Sequence, residues 1–335
     1  MLEQHEVAAY LLQRGLVSRR SVVTGTLRIE DASSRNRNFR VSGGRGESYL
    51  LKQGVVADSS ESLANEVALY ERLATPGGPL AGAIPRSHGF DAANEVLILE
   101  WIADGEDLYR HHADRSRCSV RLSAALGRVL AALHAIAPDD EELREDAPWV
   151  LSLHRPRLDA LRYLSAPSIE LIKAIQRDEP LSRALDELRE DWRVEALVHR
   201  DVKWANCIVT PPAAITLVDW EMAGWGDPAL DVGSAFGEIL GWRLRRGGDP
   251  PAAPEPALAA LWRAYAGARR IDGAPADELL ARAIRYAAAR LVQSAYEKTQ
   301  ETGLMSDRVA RGLALGRDIL LAPRAAAGEL LGVAA

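Results

Sequence analysis

The stretch that decides the fold is His199-Arg200-Asp201-Val202-Lys203-Trp204-Ala205-Asn206, followed downstream by Val218-Asp219-Trp220-Glu221. Between them, residues 207–209 and 215–218 are short, apolar and rich in β-branched side chains, and they are separated by a turn containing Pro211-Pro212. That pattern predicts an antiparallel hairpin. Asn206 opens its first strand and Asp219 closes its second, so the two side chains emerge at the same end. Two oxygen ligands on adjacent strand ends suit a hard cation such as Mg²⁺. Asp201, five positions before Asn206, suits the orientation of an attacking hydroxyl. Together these are the groups that phosphoryl transfer needs. A purely structural reading stands beside this one, with Asp201 capping a turn and Asp219 ending a strand without any metal.

Working outward, the pattern predicts a helix over residues 3–16, then short β-rich runs at 22–29, 38–41 and 48–52, divided by Ser, Asn and Gly turns. A helix over 63–73 carries Leu63, Val67 and Tyr70 on one stripe. Strands at 86–90 and 96–101 follow, and the second runs into a connector at Ile102-Ala103-Asp104-Gly105. Beyond it the chain turns helical at 120–136 and in several segments within 155–192, and gives way to an island of strands between 197 and 218, interrupted at 199–206 and at Pro211-Pro212. It is helical again at 230–246, 257–269, 277–300 and 307–321, with a Gly/Pro-rich loop at 247–256. The expectation is an α+β, bilobal chain. A small β-rich N-terminal lobe spans 1–101, and a larger helical lobe spans 102–335 and contains the hairpin.

The N-terminal lobe offers a second set of residues. Tyr49-Leu50-Leu51-Lys52 is an apolar strand ending in an ammonium, which suits contact with nucleotide phosphates. Glu66 lies on the apolar side of its helix, where a carboxylate is costly unless paired. A Lys52–Glu66 pair would satisfy both; the alternative is a snorkelling lysine and an exposed glutamate. No GxGxxG loop is present. The polar turn Ser33-Ser34-Arg35-Asn36-Arg37-Asn38 offers hydroxyls, amides and backbone N–H groups to phosphate, with Ser34 and Asn36 as candidates, and it reads equally well as a plain hairpin turn. Gly43-Gly44-Arg45-Gly46 is read as a simple turn.

The H-R-D-x4-N and D-W-E elements resemble the aminoglycoside phosphotransferase and choline kinase family and, more distantly, the protein kinases. The resemblance implies a protein-kinase-like fold and an ATP- or GTP-dependent kinase. It makes Asp201 the catalytic base, Asn206 and Asp219 the Mg²⁺ ligands, and Lys52 with Glu66 the phosphate-binding pair. Glu100 to Ile102 would be the linker whose backbone binds the base of the nucleotide. His199 is read as a structural support, Asp227 as a helix cap, Asp231 as a support for the catalytic loop, and Glu221 as a metal helper or a structural group. Arg200 departs from the glycine usual in antibiotic kinases. Residues 203–206, 218–224 and 226–234 also resemble the kinase subunits of class V lanthipeptide and thioamitide pathways. That likeness narrowly favours Ser/Thr hydroxyls of a ribosomal precursor peptide as acceptor, with a separate lyase as partner. The alternatives are a small-molecule hydroxyl (an aminoglycoside, a macrolide or a choline-like metabolite) and a nucleotide-binding pseudokinase scaffold.

Bulk composition narrows the partners. The chain has 335 residues, 47% hydrophobic and 26% charged, with a net charge of −6, which is ordinary globular balance. Arginine clusters such as 243, 245 and 246 are short, so a nucleic-acid groove is not expected. No apolar run reaches membrane-spanning length, and no signal pattern precedes Tyr10. A cytoplasmic protein is expected, with Cys118 and Cys207 as reduced, buried thiols. Trp204, Trp220 and Trp225 are read as core residues before acceptor contacts. The acidic run 139–146 could attract a cationic acceptor but is read first as a solvated loop.

Overall fold

The computed structural model describes residues 2–33, 37–44, 46–54, 57–73, 78–139, 143, 145–158, 160–247 and 254–332. The chain divides into two compact units, Met1–Arg110 with Asn206–Ala223, and His111–Ala205 with Gly224–Ala335.

The first unit begins with α1 (Val7–Gln13) and α2 (Arg19–Val23), and then builds a sheet from β1 (Arg28–Asp31), β2 (Arg37–Ser42) and β3 (Ser48–Gln53). After α3 (Ala57–Leu73) come β4 (Ser87–Asp91), β5 (Val96–Glu100) and the two-residue β6 (Glu106–Asp107), which leads into α4 (Leu108–His112). The five-stranded sheet runs β1-β2-β3-β5-β4, antiparallel throughout. Side chains alternate across a strand, and β3 uses both faces. Tyr49 and Leu51 join Val7, Leu11, Val17, Phe39, Val41, Val96 and Ile98 in one apolar cluster beneath α1. Lys52, out of phase with Leu51, points to the other face, where it meets Glu66 from α3.

Two departures from the sequence pattern lie here. Residues 22–29 are not one strand, because Ser18 accepts the Ser21 N–H at 3.1 Å and starts the short helix α2. The local cap outcompetes the β-branched Val22-Val23-Thr24 run. The N-terminal helix is also shorter than the predicted 3–16.

The hairpin formed by β8 (Cys207–Thr210) and β9 (Ala214–Leu217) pairs Cys207 with Leu217 and Thr210 with Ala214. It belongs to the first unit through β6, whose Glu106 and Asp107 pair with Val209 and Ile208. The Leu217 N–H also donates to the Ala83 carbonyl.

The second unit contains α5 (Val120–Leu133), α6 (Ala166–Arg177), α7 (Glu179–Glu190), β7 (Ala196–Val198), β10 (Gly224–Gly226), α8 (Pro228–Arg245), α9 (Pro256–Arg269), α10 (Gly273–Thr302), α11 (Asp307–Leu321) and α12 (Pro323–Leu331). β7 and β10 form a two-stranded antiparallel ribbon. Helix α8 is its spine: nearly every residue from Pro228 to Leu240 is buried. It starts where Asp227 accepts the Ala229 N–H at 2.9 Å, as expected of a cap, with Pro228 at the first helical position. Glycines set the close helix crossings. A Cβ on Gly127 of α5 would lie 2.4 Å from the Leu261 carbonyl oxygen in α9, and one on Gly233 of α8 would lie 2.4 Å from that of Ala283 in α10. Among the described residues, no helix is long and apolar enough to cross a membrane.

Candidate active site

In the first unit, the Lys52 Nζ donates to both Glu66 oxygens at 3.0 and 2.8 Å and to Asp219 Oδ1 at 2.9 Å. Lys52 is 5% exposed and Glu66 fully buried, whereas the Asp219 side chain is about one-third exposed. Burial pulls the Lys52 ammonium down, but the two carboxylates more than offset this and hold its pKa above the ordinary lysine value. The cation is therefore fixed between an inner carboxylate that anchors it and an outer one that faces solvent. Glu66 also accepts the Trp220 N–H at 3.4 Å, tying α3 to the chain just after Asp219.

Asn206 ends a short 3₁₀ turn directly before β8, is 5% exposed, and its carbonyl accepts the Val218 N–H at 3.0 Å. The backbones of Asn206 and Val218 thus close the open end of the hairpin, and Asp219 follows immediately. Asp219 has φ +70°, in the left-handed region. A non-glycine residue held there costs about 1–2 kcal/mol, and such strain concentrates where geometry serves function. Among the described residues no cluster of three or more His, Cys, Asp or Glu could hold a metal ion. A cation at Asn206 and Asp219 would take its other ligands from phosphate and water, the habit of Mg²⁺. The donor set, one carboxylate and one amide oxygen, fits that ion.

Ser62 Oγ donates to the Glu221 carboxylate at 3.4 Å, and Asn65 Nδ2 donates to the carbonyls of Glu221 and Ala223. Glu100 ends β5, with its N–H on the Arg86 carbonyl and its carboxylate accepting from the Arg86 N–H. The Ile102 carbonyl accepts from Gly105 N–H at 3.2 Å, and the intervening Trp101 is pinned to Ser48 through both its N–H and its carbonyl. Ser34 and Asn36 lie outside the described residues.

In the second unit, the loop from His199 to Ala205 carries Asp201. Asp231, fully buried in α8, accepts the N–H groups of His199 at 2.7 Å and Arg200 at 2.9 Å. It is bonded as well to His134 Nε2 at 3.1 Å, and His134 Nδ1 meets the Tyr265 hydroxyl at 3.0 Å. An imidazole with its proton on Nε2 donates to Asp231 and accepts from Tyr265. Burial pushes Asp231 up, but the His134 hydrogen bond, the electrostatic pull of His134 and His199 and the His199 N–H bring it below the ordinary aspartate value. Asp231 thus supports the loop, as expected.

Arg200, next to Asp201, also sits in the left-handed region, at φ +65°. Its guanidinium pairs with Glu145 and donates to the Asp146 carbonyl at 3.0 Å. The acidic run is therefore not merely solvated. Residues 143 and 145 exchange backbone bonds with Trp225, and Glu145 reaches the loop. Trp204, Trp220 and Trp225 are 2%, 1% and 0% exposed, which makes them core residues.

One neighbour of Asp201 is missing from the sequence reading. Lys203 Nζ lies 2.6 Å from Asp201 Oδ2. The signal was available: Lys203 sits two positions beyond the acid in the central motif. The Lys203 N–H to Asp201 carbonyl bond, at 2.9 Å, curls the backbone so that the two side chains share a side.

A five-stranded antiparallel sheet with a lysine–glutamate pair, followed by a helical part carrying H-R-D and N before a hairpin that ends in an acid, is a protein-kinase-like fold. The profile of the phosphotransferase enzyme family matches residues 28–276, and the chain belongs to that family. Membership makes it a phosphotransferase. Solved structures agree on the fold. An ethanolamine kinase of Plasmodium vivax shares 16% identity over 92% of this chain and 86% of its own, with a TM-score of 0.58. A macrolide 2'-phosphotransferase of Brachybacterium faecium shares 20% over 94% and 97%, at 0.52. The ADP-bound aminoglycoside phosphotransferase APH(2'')-Ib shares 16% over 98% and 100%, at 0.53. No curated protein sequence matches the chain.

Proposed function

We propose that the chain is a Mg·ATP-dependent O-phosphotransferase in which residues 1–101 bind the nucleotide and 102–335 carry the catalytic loop and the acceptor. The observation that carries this reading is the buried Lys52 held by Glu66 and shared with Asp219. Such a cation is poised to trade its outer carboxylate for phosphate oxygens. Asp201 accepts the proton of the acceptor hydroxyl while that oxygen forms a bond to the γ-phosphorus. The bond from phosphorus to the β–γ bridging oxygen breaks, and ADP leaves. Asn206 and Asp219 would hold Mg²⁺, which when bound neutralises charge developing on the phosphates. The backbone from Glu100 to Ile102 would receive the base, of adenine or guanine, and Ser34 and Asn36 belong to the turn proposed to cover the phosphates. Lys203 keeps the Asp201 carboxylate in place. ATP as donor supports a cytoplasmic protein.

For the acceptor, a small-molecule alcohol is supported by the neighbours' substrates: ethanolamine, a macrolide and an aminoglycoside. A Ser/Thr hydroxyl of a precursor peptide, with a partner lyase, is supported by the motif segments within 203–234 and by Arg200 in place of glycine. Incubation with Mg²⁺, γ-labelled ATP and cell extract split into small-molecule and peptide fractions separates the two. Label among peptides would sink the small-molecule reading, and label among small molecules would sink the peptide one. Asp201→Ala is expected to lose transfer by roughly 10²–10⁴-fold while still binding Mg·ATP. Equal behaviour of wild type and Asp201→Ala would leave the scaffold reading standing.

A further inference from the structure

Helix α8 holds the catalytic loop at a second point. Glu238 follows Asp231 by seven residues, two helical turns or about 10.5 Å along the same face, and is 2% exposed. Asp231 accepts the N–H groups of His199 and Arg200. Glu238 Oε2 accepts the N–H of Trp204 at 3.3 Å. Two buried carboxylates of one rigid helix therefore grip the loop on either side of Asp201, and the strained Arg200 is part of the first grip.

The second grip is itself held. Arg290 of α10, 8% exposed, donates to Glu238 Oε1 from Nε at 3.1 Å and from Nη2 at 3.0 Å, and Nη1 lies 3.4 Å from Glu297. Glycine at 237 makes room: a Cβ there would meet the Arg290 Cβ and Cγ at 2.7 and 2.8 Å, so the arginine stem lies where a side chain would stand. The Trp204 ring is fixed as well, stacked on His112 with centroids 4.6 Å apart. Burial lowers the Arg290 pKa, but Glu238 and Glu297 raise it further than that, with a contribution from Asp201, whose charge is within electrostatic reach.

We propose that Glu238 and Arg290 are positioning residues for phosphoryl transfer, a buried ion pair that fixes the Trp204 amide and through it the placement of the Asp201 carboxylate. The proposal rests on Asp201 being the base.

The test is steady-state release of phosphate from Mg·ATP with water as acceptor, run beside melting temperatures and nucleotide titrations. Replacing the pair by Glu238→Leu with Arg290→Met removes both charges at similar volume, so stability stays near wild type. The kcat is expected to fall at least 10-fold with Mg·ATP affinity unchanged, since small misplacements at a reacting centre cost up to about 10²-fold. Glu238→Gln keeps an oxygen for the Trp204 N–H but leaves Arg290 half-paired: it melts lower yet holds kcat within about threefold. Glu238→Asp keeps the charge but withdraws it by one methylene, and loses about 10-fold in kcat while folded; it serves if the double variant does not fold. A merely structural pair would instead make kcat track melting temperature across the series, or leave the double variant at wild-type kcat, and either result overturns the proposal. Asp201→Ala, assayed alongside, separates the failures: full turnover there would overturn the base assignment itself.

Discussion

Replacing Lys52 by alanine would leave the fully buried Glu66 facing Asp219 without its cation. Removing one partner of a buried pair costs roughly 3–5 kcal/mol, so Lys52→Ala is expected to unfold at markedly lower urea than wild type, and Glu66→Gln, which keeps an acceptor for the ammonium, at only slightly lower urea. Unchanged midpoints would mean that water solvates the pair. Asp231 gives a pH signature. Its folded pKa lies below the ordinary aspartate value, so its contribution to stability is fully present above about pH 3.9 and is lost as pH falls through the lower folded value. Denaturation at pH 6 and pH 3 should therefore show a larger acid loss in wild type than in Asp231→Asn. At this scale much of the candidate site was legible. Asp201, Asn206, Asp219 and Lys52 stand in contiguous motifs, and Glu66 was betrayed by a charge on an apolar stripe. Lys203 was in plain view, but its pairing depends on a backbone curl that spacing alone does not show.

At the scale of elements, glycines of similar appearance have opposite meanings. A Cβ at Gly127 would strike the Leu261 carbonyl, whereas Gly267 of α9 has nothing within 4 Å. Gly127→Ala should therefore cost roughly 1–3 kcal/mol through displacement of α9. Gly267→Ala should stabilise by about 0.5–1 kcal/mol through helix propensity and unfolded-state entropy. Chemical denaturation of both variants checks the pair of signs. Element types were mostly readable from periodicity, because the amphipathic helices and the apolar strands each carry their own repeat. The exception at residues 19–23 is physical: a serine cap decides for helix over a β-branched run too short to override it. Half of the ribbon of β7 and β10 was legible, since Leu197 and Val198 open the expected island of strands; the three residues at 224–226 had no local signal and acquire strand geometry by pairing with 196–198.

At the scale of the whole molecule, a ligand that binds only the folded state adds stability by mass action. Mg·ATP at a hundredfold excess over its Kd contributes about 2.7 kcal/mol, which for a chain of 335 residues is a rise of about 4 °C in melting temperature. The rise should require Mg²⁺ in wild type and shrink in Asp219→Ala. A magnesium-independent shift of equal size in that variant would refute the assignment of Asp219 as a metal ligand.

The sequence by itself determined the α+β order of elements, the hairpin with Asn206 and Asp219 at one end, and the chemistry class, since each depends on residues close along the chain. Only tertiary structure decided which buried charges meet: Lys52 with Asp219, Asp231 with His134 and the loop amides, and Glu238 with Arg290 and Trp204. Those partners are separated by 31 to 167 residues, and a buried charge has no local pattern that names its counter-ion. It must be paired to be tolerated at all, and packing alone chooses the partner.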